Sequence, residues 1–230
     1  MERKSWWILA LIGMCAAGAG FWLARELDRS GPELASGTWL PQARTISDFH
    51  LIDEAGQPFS AAQLRGRPTL VFFGFTHCPD VCPTTLAKLA QVKKAGALPD
   101  LRVLLVSVDP QRDTPPILSE YVHAFDPQFV GLTGEPEAIR RIAADFQVAA
   151  ARVELPGGDY TMDHSAAVFL LDNQAREVAV FTPPFDVKQI ANDLRTAAPE
   201  LKRLSSGQKP RFLPAVDRAM SAKISAGNFR

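Results

Sequence analysis

The run PTLVFFGF, residues 68–75, holds no charge and no alternation of polar with apolar residues. A strand wetted on one face alternates with period two, so a strand apolar throughout has to be covered on both faces. LRVLLVSVD at 101–109 reads as a second buried strand, ended by Pro110. Two such strands call for a partly parallel sheet with helices on either side. The 230 residues leave room for one domain of about 150 with appendages. An apolar share of 47% suits a chain with a real core.

The remaining segments follow the same alternation. FHLID (49–53), followed by EAGQP, reads as a strand and turn. VCPTTLAKLAQVKKA predicts a helix beginning near Cys82 or Pro83, since proline suits a first helical turn. TPPILSEYVHAF (114–125) predicts a helix with Thr114 as N-cap. FVGLTG (129–134) is a short strand, and EPEAIRRIAADFQV (135–148) an amphipathic helix with Ile139, Ile142, Ala143 and Phe146 on one side. SAAVFLLD (165–172) and EVAVFT (177–182), separated by NQAR, read as a hairpin. DVKQIANDLRTA (186–197) is a closing helix. The order is β, β, α, β, α, β, α, β, β, α. With a cysteine pair between an early strand and its helix, this is the order of the thioredoxin fold: α/β, a mixed central sheet flanked by helices.

Ahead of that domain, residues 6–23 (WWILALIGMCAAGAGFWL) carry no charge. Eighteen helical residues span about 27 Å, close to a bilayer core of about 30 Å. Trp6, Trp7 and Trp22 bracket the run, and Arg3 and Lys4 before it favour a cytoplasmic N-terminus. A signal-peptide cut after Ala19 would leave Phe21, Trp22 and Leu23 beyond it, so an uncleaved transmembrane helix is expected. Cys15, preceded by Met14, reads as a small apolar residue of that helix. The expected organisation is an anchor over 1–24, a polar linker over 25–45, the domain over 46–198 and a basic tail over 199–230. No Arg/Ser-rich transit segment precedes the anchor. The expectation is therefore a bacterial inner-membrane protein that crosses once, with its domain in the periplasm, more than a mitochondrial one. Formal net charge is zero, which gives no reason to expect nucleic acid as a partner. Residues 201–230 nevertheless hold seven Lys/Arg against Asp217 alone. That tail reads as a solvated extension or a contact for anionic lipid or a partner.

Setting Cys15 aside, two cysteines remain, in GFTHCPDVCPTTLAKL. Cys78 falls in the strand-to-helix turn and Cys82 at the helix N-terminus. Unpaired N–H groups there carry partial positive charge and are expected to lower a thiol's pKa. A thiolate is both a nucleophile and a soft metal ligand. Redox dithiols of the thioredoxin type use C-x-x-C, whereas this is C-x-x-x-C, which allows a disulfide and also lets two sulfurs face one ion. Structural zinc wants four ligands, usually two such pairs, and only one is present. Two thiolates with one imidazole suit copper: sulfur selects Cu(I) and nitrogen accommodates Cu(II).

Four histidines are available: His50, His77, His123 and His164. His50 and His123 read as ordinary surface or core residues. His77 adjoins Cys78, but neighbours in an extended turn point apart. His164 lies just before a buried-type strand. In thioredoxin folds the loop there faces the cysteine pair and carries a proline; YTMDHS (160–165) has none and offers an imidazole instead. His164 is therefore the expected third ligand. Met162 offers a soft fourth contact but reads first as a core or loop residue. Asp109 and Asp113 fit turn and capping roles, Asp163 can orient the His164 loop or accept from its ring, and Asp80 favours the turn or faces a partner.

TLVFFGFTHCPDVCPTTL, SVDPQRDTP (107–115) and DYTMDHSAAVFLLD (159–172) together resemble the SCO/SenC family of membrane-anchored copper proteins. The resemblance covers roughly residues 46–198. It implies one copper, Cu(I) or Cu(II), bound by Cys78, Cys82 and His164, and a metallochaperone that helps assemble the copper-A centre in subunit II of cytochrome c oxidase, with an upstream copper donor as a further partner. The alternative it leaves open is a thiol–disulfide oxidoreductase that reduces the partner's cysteines, with Cys78 and Cys82 as the redox pair. A peroxiredoxin site is a poorer match: Thr76 precedes Cys78, but no arginine lies within ten residues of Cys78.

Overall fold

A computed structural model describes residues 13–22 and 31–206. At its centre β4 (Thr69–Gly74), β5 (Arg102–Ser107) and β6 (Val130–Thr133) run parallel. Every residue of β4 and β5 is buried, as continuous apolar runs require. On one side β9 (Val168–Leu171), β10 (Arg176–Phe181) and β1 (Gly37–Thr45) extend the sheet antiparallel, and on the other β2 (His50–Asp53) and β3 (Pro58–Ser60) complete it. The order is β1-β10-β9-β4-β5-β6-β2-β3. Residues 13–22 lie in a helix, α1; a one-turn helix, α2 (Ala61–Leu64), follows β3, and α3 (Val81–Lys94), α4 (Pro115–His123), α5 (Pro136–Asp145) and α6 (Val187–Ser205) supply the covering layers. Beyond α5, Phe146 lies against Phe73 and Phe169, with ring centroids at 5.3 and 5.0 Å. Within the domain, each strand and helix read from the sequence is present, and all but the closing helix end within a few residues of where they are expected.

The polar linker is corrected. Residues 37–45 of that stretch are the edge strand β1, paired with β10. Its sequence looks like a linker because an edge strand is half wet and because its short residues serve close approach. The Asp193 carboxylate, 1% exposed, accepts the N–H groups of Ala35, Ser36 and Gly37 and the Ser36 hydroxyl. A Cβ on Gly37 would lie 2.6 Å from the Phe181 ring. Farther along the same strand, Arg44 pairs at 2.7 Å with the fully buried Glu177 of β10. The closing helix also runs past 197 to Ser205, because Leu201 and Leu204 continue the buried stripe of Ile190, Leu194 and Ala197. The rest of the basic tail, from 207, lies outside the described residues.

Of the expected membrane span, residues 13–22 are helical, with Met14, Phe21 and Trp22 exposed. The remainder lies outside the described residues, among which no helix is long and apolar enough to cross a membrane.

A second unexpected element is a two-stranded sheet of its own, β7 (Ala150–Glu154) with β8 (Tyr160–His164). Its register pairs Ala150 with His164 and Glu154 with Tyr160. His164 thus ends a strand, where the sequence reading had placed it in a loop.

Candidate metal centre

The topology brings the three ligands to one end of the sheet. The turn that follows β4 carries Cys78, and α3 begins with Val81, so Cys82 is its second residue. The strand β9 runs antiparallel to β4, with Val168 opposite Phe72. Residues just before Val168 therefore stand beside residues just after Phe72, and His164 meets the cysteine turn.

Cys82 is fully buried. Its sulfur rests on Gly74, where an added Cβ would come within 3.1 Å of it. Cys78 is half-buried. The helix N-cap, Asp80, makes no side-chain capping bond to the helix backbone; instead the Cys82 N–H donates to Cys78 Sγ at 3.4 Å. A thiolate there gains from the N-terminal partial charge. His164 Nδ1 lies 2.9 Å from the Ser165 carbonyl oxygen. A carbonyl only accepts, so Nδ1 holds the proton and Nε2 presents its lone pair. Nε2 faces Cys82 Sγ at 3.5 Å. The edges of Phe72 and Phe75 enclose the imidazole, with ring centroids at 6.1 and 5.8 Å. The two sulfurs and the ring nitrogen all lie within 4.8 Å of one another.

The expected lowering of thiol pKa fails at Cys82. Burial pushes this thiol far up, the neighbouring Cys78 adds to the shift, and a hydrogen bond with the Phe75 backbone only partly opposes it. Without a cation, that burial favours the neutral thiol at Cys82, whose sulfur lies 3.5 Å from Nε2. A soft cation that replaces that proton is held by two sulfurs and one nitrogen, and its binding releases protons. The donor set fits copper, the metal the sequence points to.

The other candidates fall outside this group. His77 is exposed, with Nδ1 3.1 Å from Thr76 Oγ1. His50 is exposed at the start of β2, opposite Ser60 of β3, and His123 stands 3.7 Å from Glu54. Met162 packs partly buried on the core and lines a cavity of about 310 Å³ with Ile139 and Ala143. Asp163 is exposed, and the acceptor for His164 Nδ1 is the Ser165 carbonyl. Asp80 is exposed and accepts from Thr84 Oγ1 at 3.4 Å.

Asp109 and Asp113 carry more than turn or capping roles. Asp113, 0% exposed, accepts the Thr76 hydroxyl at 2.6 Å, the Thr76 N–H at 3.1 Å and the Ser107 hydroxyl at 2.6 Å. It clamps the cysteine turn to the end of β5. Burial nonetheless pushes its carboxyl above the usual carboxylate range. Thr114, the expected N-cap of α4, makes no capping bond. Asp109, 3% exposed, accepts the Tyr160 hydroxyl at 2.9 Å and the Arg112 guanidinium. Burial and the Asp109 carboxylate push the Tyr160 hydroxyl up, so it remains a donor. The signal available in the sequence was two carboxylates four apart after a buried strand, with Tyr160 just ahead of His164.

Comparison with known proteins agrees. The SCO1/SenC family model matches residues 38–199. An SCO2-like protein of Rickettsia felis is 37% identical over 152 residues, covering 64% of this chain and 74% of its own. ScoI of Bradyrhizobium japonicum, solved with copper bound, is 40% identical, covers 69% of this chain and 98% of its own, and superposes with a TM-score of 0.58. BsSco, described as a Sco-family cytochrome c oxidase assembly protein with a disulfide switch, is 25% identical, covers 70% of this chain and 96% of its own, and gives a TM-score of 0.55. A match that takes in β1, the cysteine turn, the histidine hairpin and α6 alike leaves one assignment: the chain belongs to the SCO1/SenC family.

Proposed function

We propose that this chain is a membrane-anchored copper chaperone. It takes one copper from an upstream donor and delivers it to the copper-A site of cytochrome c oxidase subunit II. Residues 6–23 hold it in a bacterial inner membrane, with the domain in the periplasm. The observation that carries this reading is the meeting of Cys78 Sγ, Cys82 Sγ and His164 Nε2 within 4.8 Å, with the ring proton placed away from the sulfurs. Three ligands leave copper under-coordinated. Cys78 and His164 are half-buried, so incoming thiolates of a partner reach the ion and take it by ligand exchange.

The test is to load the purified full chain with Cu(I) under reducing conditions and to mix it with an apo copper-A domain. One copper per chain and transfer on mixing are expected. His164→Ala should lose tight binding and keep only weak two-sulfur binding. Wild-type affinity in that variant would overturn the ligand assignment.

A thiol–disulfide role draws on one specific observation: Cys78 is accessible and Cys82 is buried behind it. The Cys78 thiolate would attack a partner disulfide and expel one sulfur as thiolate. Cys82 would then attack the mixed disulfide, leaving the partner with two thiols and this chain with a Cys78–Cys82 disulfide. Two electrons and two protons pass to the partner. Here His164 is dispensable. If His164→Ala restores oxidase assembly in a strain lacking the protein, reduction rather than delivery is the task.

A further inference from the structure

His164 rides on the β7–β8 hairpin, which shares no ladder with the eight-stranded sheet. Every residue of β7 is exposed. The imidazole must still be fixed over the sulfurs. Among the described residues, and apart from the His164 bond to its chain neighbour Ser165, hydrogen bonds from the two hairpin strands and Asp159 to the rest of the fold run to Asp109, Arg112 and Cys82.

The first two of these form one construction around Tyr160, four residues before His164. Its hydroxyl donates to Asp109 Oδ1 at 2.9 Å. Arg112 pairs with the other Asp109 oxygen and donates to the Tyr160 carbonyl at 3.0 Å. The guanidiniums of Arg112 and Arg152 each lie 3.7 Å from the Tyr160 ring centre. The same turn also reaches the sulfurs. The Asp109 N–H donates to Ser107 Oγ at 3.0 Å, the Ser107 hydroxyl to Asp113 at 2.6 Å, and Asp113 holds Thr76, two residues before Cys78. An unbroken hydrogen-bonded chain thus links the histidine hairpin to the cysteine turn through residues 107–113.

We propose that Tyr160 is a positioning residue for His164, anchored by Asp109 and Arg112, and that this anchor sets the distance between the imidazole and the two sulfurs. The proposal rests on the copper-binding reading above. It gives release a handle. A partner that loosens the Tyr160 hydroxyl frees the hairpin and withdraws the nitrogen, while both sulfurs stay in place.

Tyr160→Phe is the clean variant, since it keeps the ring between the guanidiniums and removes only the hydroxyl. Cu(I) affinity is measured by chelator competition in the full chain for wild type, Tyr160→Phe, His164→Ala and the double variant. Nitrogen hyperfine coupling is read from the Cu(II) forms. Tyr160→Phe is expected to weaken Cu(I) binding about ten- to hundredfold, to alter the nitrogen coupling and to melt close to wild type. In the His164→Ala background the same change should have no further effect. Two results overturn the proposal while leaving the ligand set intact: wild-type affinity in Tyr160→Phe, or an equal loss when the histidine is already gone. Wild-type affinity in His164→Ala would overturn the copper site itself, and the proposal with it.

Discussion

The two halves of the ligand set are built on different principles. The cysteine turn grows out of β4, whose residues are all buried, and is clamped from below by Asp113 and Gly74. The histidine sits on a hairpin whose outer strand is wholly exposed and whose fastening is a few side-chain hydrogen bonds. Opening the first half costs packing in the middle of the core, whereas opening the second costs a few hydrogen bonds and the partial burial of Met162 and His164 at its rim. A carrier benefits from that asymmetry. On the proposed carrier reading, the sulfurs would hold the ion during transfer and the nitrogen would be the ligand most readily withdrawn.

The largest expected effect tests the rigid half. Cys82→Ala removes the sulfur at the centre of the site, the one that faces both Nε2 and Gly74. No copper should remain on the purified full chain after gel filtration, measured by metal analysis. Cys78→Ala should behave the same way. Stoichiometric copper in either variant would mean that the histidine half can hold the ion with one sulfur, and the asymmetry would be lost.

The same division decides what the sequence made legible. Cys78 and Cys82 lie four apart between a buried strand and a helix, and a local pattern of that kind survives in one dimension. His164 was reachable because it stands before another buried strand and occupies the place of a proline. The hairpin that carries it was not, since β7 reads AARVE and buries nothing, so no hydrophobic periodicity marks it. β1 escaped for a related reason: Ser36 and Gly37 serve a carboxylate 157 and 156 positions away at Asp193, and short residues near glycine look like linker. Asp109 and Asp113 were seen but placed in turns. Their partners, Tyr160 and Thr76, lie 51 and 37 positions off, and only folding pairs them.

A second test removes the clamp. Asp113→Ala would leave the Thr76 N–H, the Thr76 hydroxyl and the Ser107 hydroxyl without their acceptor. At about 1–3 kcal/mol for each buried group left unpaired, with some rescue by water, a loss of about 3 kcal/mol is expected. The melting temperature of the full chain should fall by about 6–12 °C. Gly74→Ala is the milder intrusion. Its Cβ would meet Phe72 at 2.9 Å, Cys82 Sγ at 3.1 Å and Leu105 at 3.2 Å. Overpacking of that kind costs about 1–3 kcal/mol, and moving Cys82 should weaken Cu(I) binding in a chelator competition as well. Unchanged stability and affinity in both variants would show that the cysteine turn is no more rigid than the hairpin.

The smallest effect belongs to the hairpin. Val153, 42% exposed, pairs with Thr161 across β7 and β8. Val153→Ala removes β-branching from an exposed strand and little buried area, so the cost is about 0.5 kcal/mol or less. That cost should fall on the hairpin alone, because no ladder joins it to the main sheet. Hydrogen exchange distinguishes local from global loss. Amides of β7 and β8 should exchange faster in the variant, those of β4 and β5 at the wild-type rate, and the melting temperature should stay within about 2 °C. Copper should slow the hairpin amides in both proteins, since the ion ties His164 to the sulfurs. If Val153→Ala instead speeds β4 and β5 together with the hairpin, the two halves open as one unit and the imidazole is not separately releasable.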